Sequence, residues 1–462
     1  MVRVLATAIL FAVSLGAQTG SPLADRAVEY LQALIRIDSS NPPGNESRVA
    51  EYLQTLANEH GIENELLGGD PERLNFIARL RGTGRERPLL LMAHMDVVPA
   101  ETEQWNAPPF SGEVRDGFIY GRGALDAKNL LAAHFAVLVE LKRRSVKLKR
   151  DIILLAEADE EAGASGIRWL IENAYPKLDA EFAINEGGSA VDMSSGVRLF
   201  QIQTAEKIPT RLLLTAQGTA GHGSMPRPDN AIVRLSRAIT RLMDEEQPVR
   251  WNSTTRRYFR QIAELPGYRW LEKLLGRLET DPVNAAAEIR PRAPELDAML
   301  RTTISPTMLT SGVKINVIPN TAQAGLDVRR LPNETREEVI SRFSRIINDR
   351  MVSISSAGEP EAPAAEPSSL STALYRAMHF VFSNSHPKAA VAPFMSRGAT
   401  DAAFLREKGM AVYGAPLFLK EPGESRAHGN DERISLWNMR LGTEMLWNIL
   451  IAVAVEDNAG AG

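Results

Sequence analysis

Apolar and polar positions follow two different rhythms along the chain. In residues 25–37 and 47–60 the apolar positions recur every three to four residues, which predicts two opening amphipathic helices. Short, wholly apolar runs follow at 89–93, 152–156 and 182–184, with helical periodicity between them at 130–142 and 167–174. Apolar strands alternating with helices mark a sheet covered on both faces, so this part is predicted to be an α/β layer. The texture changes near residue 210. A strand at 211–216, a helix at 231–243, strands at 315–317 and 322–328 and a helix at 337–347 predict a compact α+β module with its own sheet.

These rhythms divide the chain into a first domain part at 22–207, a second module at 208–362 and a return to the first domain at 363–457. Residues 244–301, rich in Trp, Tyr, Arg and Pro, form a largely helical insertion in the second module, and 357–369, dense in Pro, Ala and Glu, link back. At 462 residues and 44% hydrophobic content the chain can bury a large core. Its net charge of −4 and pI near 6.1 carry no basic excess, which argues against nucleic acid and points to a small-molecule partner. Arg3, an apolar run over 4–13, and Ser14, Gly16 and Ala17 predict a signal peptide at 1–17 and export to a periplasmic or extracellular location. The run is too short for a stable membrane anchor.

The candidate chemistry lies where strands end. His94 and Asp96 close one predicted strand, Glu160 and Glu161 follow another, and Glu186 follows a third. Ligands of open α/β sheets bind beyond the carboxyl ends of the strands, so three strand ends would aim acids and an imidazole at one crevice. The turn Gly121-Arg122-Gly123-Ala124-Leu125-Asp126 presents an aspartate, and His428 arrives from the far end of the chain. Singly, each piece reads more readily as a solvated turn or a surface histidine than as a ligand. The glycine turn lacks the third glycine of a dinucleotide fingerprint. Together the pieces supply the nitrogen and oxygen donors that divalent metals take, with no cysteine in the chain to compete.

The runs Ala93-His94-Met95-Asp96-Val97-Val98-Pro99, Gly121 to Lys128, Asp159-Glu160-Glu161-Ala162-Gly163, Asn185-Glu186-Gly187 and Ala427-His428-Gly429-Asn430-Asp431-Glu432 resemble, in order, those of the co-catalytic zinc peptidases. That family includes glutamate carboxypeptidase, carboxypeptidase S, carnosinase-type dipeptidases and aminoacylase. The long insertion is most similar to the carboxypeptidase S branch. The run Ala127-Lys128-Asn129 stands where the family usually has Met, Lys and Gly, which removes no ligand.

The resemblance implies a catalytic domain with a mixed sheet flanked by helices, and an inserted α+β lid that pairs two subunits as a homodimer. It implies two zinc ions per chain, with cobalt or manganese as substitutes. Asp126 would bridge them, His94 and Glu186 would hold one, and Glu161 and His428 the other. Asp96 would orient His94, Glu160 would be the general base, and His222 in Gly221-His222-Gly223 would support the oxyanion. Asn316 and Arg329 would grip the substrate's polar groups and carboxylate, and residues 396–401 would line its floor or, as readily, form a structural turn. Arg330 is expected to be a solvent-facing neighbour as readily as a ligand-binding one. His60, His134, His379 and His386 match no motif and are expected at the surface or in packing. The implied substrate is a small peptide cut beside a free carboxylate, as by a carboxypeptidase or dipeptidase, with an N-acyl amino acid as the alternative.

Overall fold

The computed structural model of the protein describes residues 21–358, 361–421 and 426–456. The expected signal segment at 1–17 lies outside the described residues. Among the described residues no helix is long and apolar enough to cross a membrane.

A ten-stranded mixed sheet forms the centre. Its middle is parallel: Ile152–Glu157, Leu89–His94, Phe182–Asn185 and Ala411–Gly414 lie side by side. Successive side chains of a strand point to opposite faces, and the core divides accordingly. Leu89, Leu91 and Ala93 pack beneath the helices Pro22–Ile35, Lys128–Arg143 and Leu436–Ala454, while Leu90 and Met92 pack against Ser165–Asn173 and Ala402–Glu407. Both faces are therefore covered, as the unbroken apolar runs predict. The first helix starts at Pro22 behind Ser21, whose side chain accepts from the Ala24 N–H at 3.3 Å. The buried Lys128 Nζ donates to Leu34 O in the last turn of that helix at 3.0 Å and to Ile37 O just beyond it at 2.7 Å.

His134 sits at 0% exposure in this core, and neither ring nitrogen has a hydrogen-bond partner. It is thus a packing residue, and burial pushes its pKa down to about 3. The unfolded chain binds a proton near pH 6.5 that the folded chain refuses, so stability is flat above that pH and falls below it. From this residue the protein should be about 2 kcal/mol less stable at pH 5 than at pH 8. His134→Met should remove that part of the slope in urea unfolding. An unchanged acid slope would show that the loss arises elsewhere.

The second module is an antiparallel sheet in the order Thr303–Ser311, Thr321–Arg330, Ile208–Gln217 and Val352–Ser356. The helices Ala231–Asp244 and Arg336–Ile347 cover one face through Leu212, Leu214, Leu326 and Val328. The alternate residues Arg211, Asp327 and Arg329 lie on the other face. Arg330 corrects one expectation. Alternation places it with Leu326 and Val328, only 3% exposed, where it bonds Thr210 Oγ1 and the Glu334 carbonyl and pairs with Glu361 at 3.3 Å. The predicted strand at 315–317 is the short Val317–Ile318, paired with Gly221–His222. The helical insertion packs its apolar side on the large sheet, with Tyr258, Phe259 and Ile262 joining Leu199, Ala205, Ala392 and Met395.

Candidate active site

Strand ends and one turn carry the candidate ligands to a common place. His94 is the last residue of Leu89–His94, Glu186 follows Phe182–Asn185, and Glu160 and Glu161 lie on the loop after Ile152–Glu157. Asp96, fully buried, holds that loop: its two carboxylate oxygens accept the N–H groups of Glu160 at 3.2 Å and Glu161 at 3.0 Å. Asn41 Nδ2 donates to the same carboxylate at 2.8 Å and to Asp159 at 2.9 Å. Glu432 sets the Asp126 turn by accepting from the N–H of Leu125 at 2.7 Å and of Asp126 at 3.2 Å, with Arg122 on its other oxygen at 2.7 Å. His428 is held at φ 62°, a left-handed conformation uncommon outside glycine.

The two histidines stand on opposite oxygens of one carboxylate. His94 Nε2 lies 3.1 Å from Asp126 Oδ1, and His428 Nε2 lies 3.1 Å from Asp126 Oδ2. Glu186 Oε2 is 3.9 Å from His94 Nε2, while Glu161 Oε1 is 3.0 Å from His428 Nε2. Donor atoms of His94, Asp126 and Glu161 fall within 4.8 Å of one another, as do those of His94, Glu160 and Glu186. His94 turns its other nitrogen, Nδ1, to the Asp96 backbone carbonyl at 2.9 Å, with the Asp96 carboxylate at 3.5 Å. That contact fixes which nitrogen faces the cluster.

The electrostatics of the cluster demand positive charge. Burial, and then the neighbouring Asp126 carboxylate, push Glu186 up to about 8. Burial and Glu186 likewise raise Glu160 well above the carboxylate range. Burial opposes charge on Asp126, yet the hydrogen bonds from His428 and His94 hold its pKa below the usual value. Asp126 and Glu161 raise His428 to about 10, and at His94 burial is outweighed by Asp126 and Asp96. Crowded acids destabilise one another unless a cation joins them. A donor set of nitrogen and carboxylate oxygen, split by one two-sided aspartate, fits two divalent ions.

A cleft of about 470 Å³ opens between this cluster and the bare face of the second module. Glu160, Glu161 and His428 line one wall, and Arg211, Arg329 and Arg336 the other. Arg329 is oriented by Asp327, with Nε donating to Oδ1 at 2.8 Å and Nη2 to Oδ2 at 3.0 Å. Gly398, Ala399, Thr400 and Asp401 form part of the lining, as expected of the loop at 396–401. His222 and Asn316 are brought together, with Gly223 N donating to Asn316 O at 2.9 Å, but both are exposed and neither lines the cleft of its own chain.

Sequence reasoning missed Asn41, the Glu432 contact to the Asp126 turn, and Glu157. The last is buried beside His94, with Oε2 unpartnered and its pKa raised well above the ordinary range by burial and by Asp401. The glutamate that closes the apolar run at Ile152–Glu157 was its available signal.

The chain also resembles known proteins over most of its length. The family described as "Peptidase family M20/M25/M40" matches residues 90–452. The chain is 31% identical over 432 residues to the Xenopus tropicalis N-fatty-acyl-amino acid synthase/hydrolase PM20D1, covering 88% of this chain and 82% of that protein. It is 29% identical over 378 residues to a probable carboxypeptidase S-like 2 of Dictyostelium discoideum, covering 79% and 71%. Among solved structures, an M20 family metallo-carboxypeptidase from Sulfolobus solfataricus superposes with a TM-score of 0.69 at 20% identity, over 93% of this chain and 99% of that one.

Proposed function

We propose that this chain, which belongs to peptidase family M20/M25/M40, is a two-metal amidohydrolase acting beside a free carboxylate, with N-acyl amino acids as its first substrate class and small peptides as its second. The observation that carries the reading is Asp126, with one oxygen on His94 and the other on His428, in a cluster whose Glu160 lines the cleft that Arg329 lines from the opposite wall. The likeness to the N-fatty-acyl-amino acid enzymes supports the acyl class over the carboxypeptidase or dipeptidase class that the sequence motifs alone put first. Zinc suits the nitrogen and oxygen donors, with cobalt or manganese as substitutes. Two ions bound there would polarise the scissile carbonyl and lower the pKa of the attacking water. Glu160 takes the proton of that water and passes it to the leaving amine. Arg329, already squared by Asp327, presents its remaining N–H groups to the carboxylate.

The test is a matched pair of substrates, an N-acyl amino acid and its C-terminal amide. Arg329→Ala should lower kcat/KM roughly 100-fold on the acid and far less on the amide, since a lost charge-assisted bond is worth a few kcal/mol. Equal losses on both would make Arg329 structural and remove the carboxylate from the reading.

His222 and Asn316 reach a cleft only if the second module pairs with another copy. The strand Thr303–Ser311 supports such a homodimer: it is a sheet edge carrying exposed Met308 and Leu309, and Ile315 and Val317 are exposed nearby. Mixed dimers of His222→Ala and Glu160→Gln chains should recover activity that each homodimer lacks. No recovery in verified mixed dimers would leave His222 outside the reaction. The leader-like residues 1–17 support export, and nothing in the charge or composition supports a nucleic-acid partner.

A further inference from the structure

The ligand cluster borders two cavities. Glu160, Glu161 and His428 line the arginine-lined cleft, whereas Asp126 and Glu186 line a second cavity of about 330 Å³. The two spaces differ in chemistry. Three arginines line the first from the second module, while the second combines an apolar part, Leu125, Leu130, Ala190, Ala415, Phe418 and Leu419, with the polar side chains of Asn129, Lys420, Glu421, Arg426, Arg433 and Asn438. Leu125 directly precedes Asp126, so an apolar wall begins one residue from the two-sided carboxylate. Gly187 and Gly188 bring the opposite wall equally near Glu186. A Cβ at Gly188 would lie 2.5 Å from the Ala415 carbonyl carbon, and Gly187 has φ +95°. Phe418 is seated against Gly442, where a Cβ would lie 2.5 Å from its ring. Of its charged residues, Glu421 is engaged by the Ser435 N–H and Asn438 Nδ2, Arg433 by the Tyr120 hydroxyl and Arg426 by the Asn430 carbonyl.

We infer that this second cavity receives the acyl chain of the substrate, with the amino-acid carboxylate in the first cavity and the scissile amide at the ligand cluster between them. This rests on the amidohydrolase reading and sharpens it: a straight apolar acyl group fits, whereas the α-ammonium of a dipeptide would be stripped of water against leucine and phenylalanine side chains. Leu130 and Phe418 would then set the acceptable chain length.

The experiment is a series of N-acetyl-, N-butanoyl-, N-hexanoyl- and N-octanoyl-phenylalanine turned over by the metal-loaded enzyme. Burying one methylene is worth about a three- to fourfold gain, so kcat/KM should climb by that factor per carbon until the cavity is filled and then level off. Leu130→Phe should move the plateau to shorter chains, and Phe418→Ala should move it to longer ones. Octanoate alone should bind more weakly to Leu130→Phe than to the wild type in calorimetry. A flat series in which all four acids are hydrolysed would overturn the acyl cavity and leave the amidohydrolase standing. Turnover of dipeptides with none of the acyl acids would overturn both.

Discussion

Glu160→Gln should lower kcat by about 100- to 10,000-fold, the range typical of a lost general acid-base group. The amide keeps the shape and the hydrogen-bonding reach of the side chain but cannot take a proton from water. The Glu160 backbone is pinned by the Asp96 carboxylate at 3.2 Å, and the substitution leaves that contact in place. The five proposed ligands are also untouched, so elemental analysis should find the metal content unchanged. KM should move little, because the lost step is proton transfer rather than binding. A variant with near-normal kcat would place the base elsewhere in the cleft.

Asp126→Asn tests the other half of the site and should separate from the first variant in its metal content. The amide keeps one neutral carbonyl oxygen that can hold an ion, while the other atom becomes an NH₂ with no lone pair to offer one. Metal-assisted polarisation is worth several kcal/mol, so kcat should fall by roughly 1,000-fold, with less metal retained per chain. The turn itself should survive, since Glu432 holds it through the backbone of Leu125 and Asp126. Full metal content with full activity would remove Asp126 from the bridging position. Glu160→Gln and Asp126→Asn thus lose rate for different reasons, one with its full metal content and one with less.

Much of this site could be read from the sequence because strands impose order on it. The runs ending at His94, Glu157 and Asn185 are wholly buried, and in such a sheet a polar residue just past the strand end has few roles other than facing the crevice. The contacts that orient those residues were less legible. His94 is turned chiefly by the backbone carbonyl of Asp96, and a carbonyl carries no residue signature. Asn41 reaches Asp96 from a loop 55 positions away that has no periodicity to mark it. Arg330 was misjudged because alternation tells which residues share a face, not which face is covered. Burial of Leu326 and Val328 settles that question. The strand Thr303–Ser311 escaped the apolar pattern for a related reason: most of it is exposed, so its sequence carries no burial rhythm.

In the proposed mechanism two divalent ions, held by His94, Asp126, Glu161, Glu186 and His428, are required for hydrolysis. Exhaustively chelated protein, verified metal-free by elemental analysis and folded by circular dichroism, should be titrated with zinc while turnover of an N-acyl amino acid is followed. Activity should be absent at the start and should reach its plateau at two ions per chain, with His428→Ala retaining about one. Hydrolysis at the original rate by the metal-free protein would contradict that requirement.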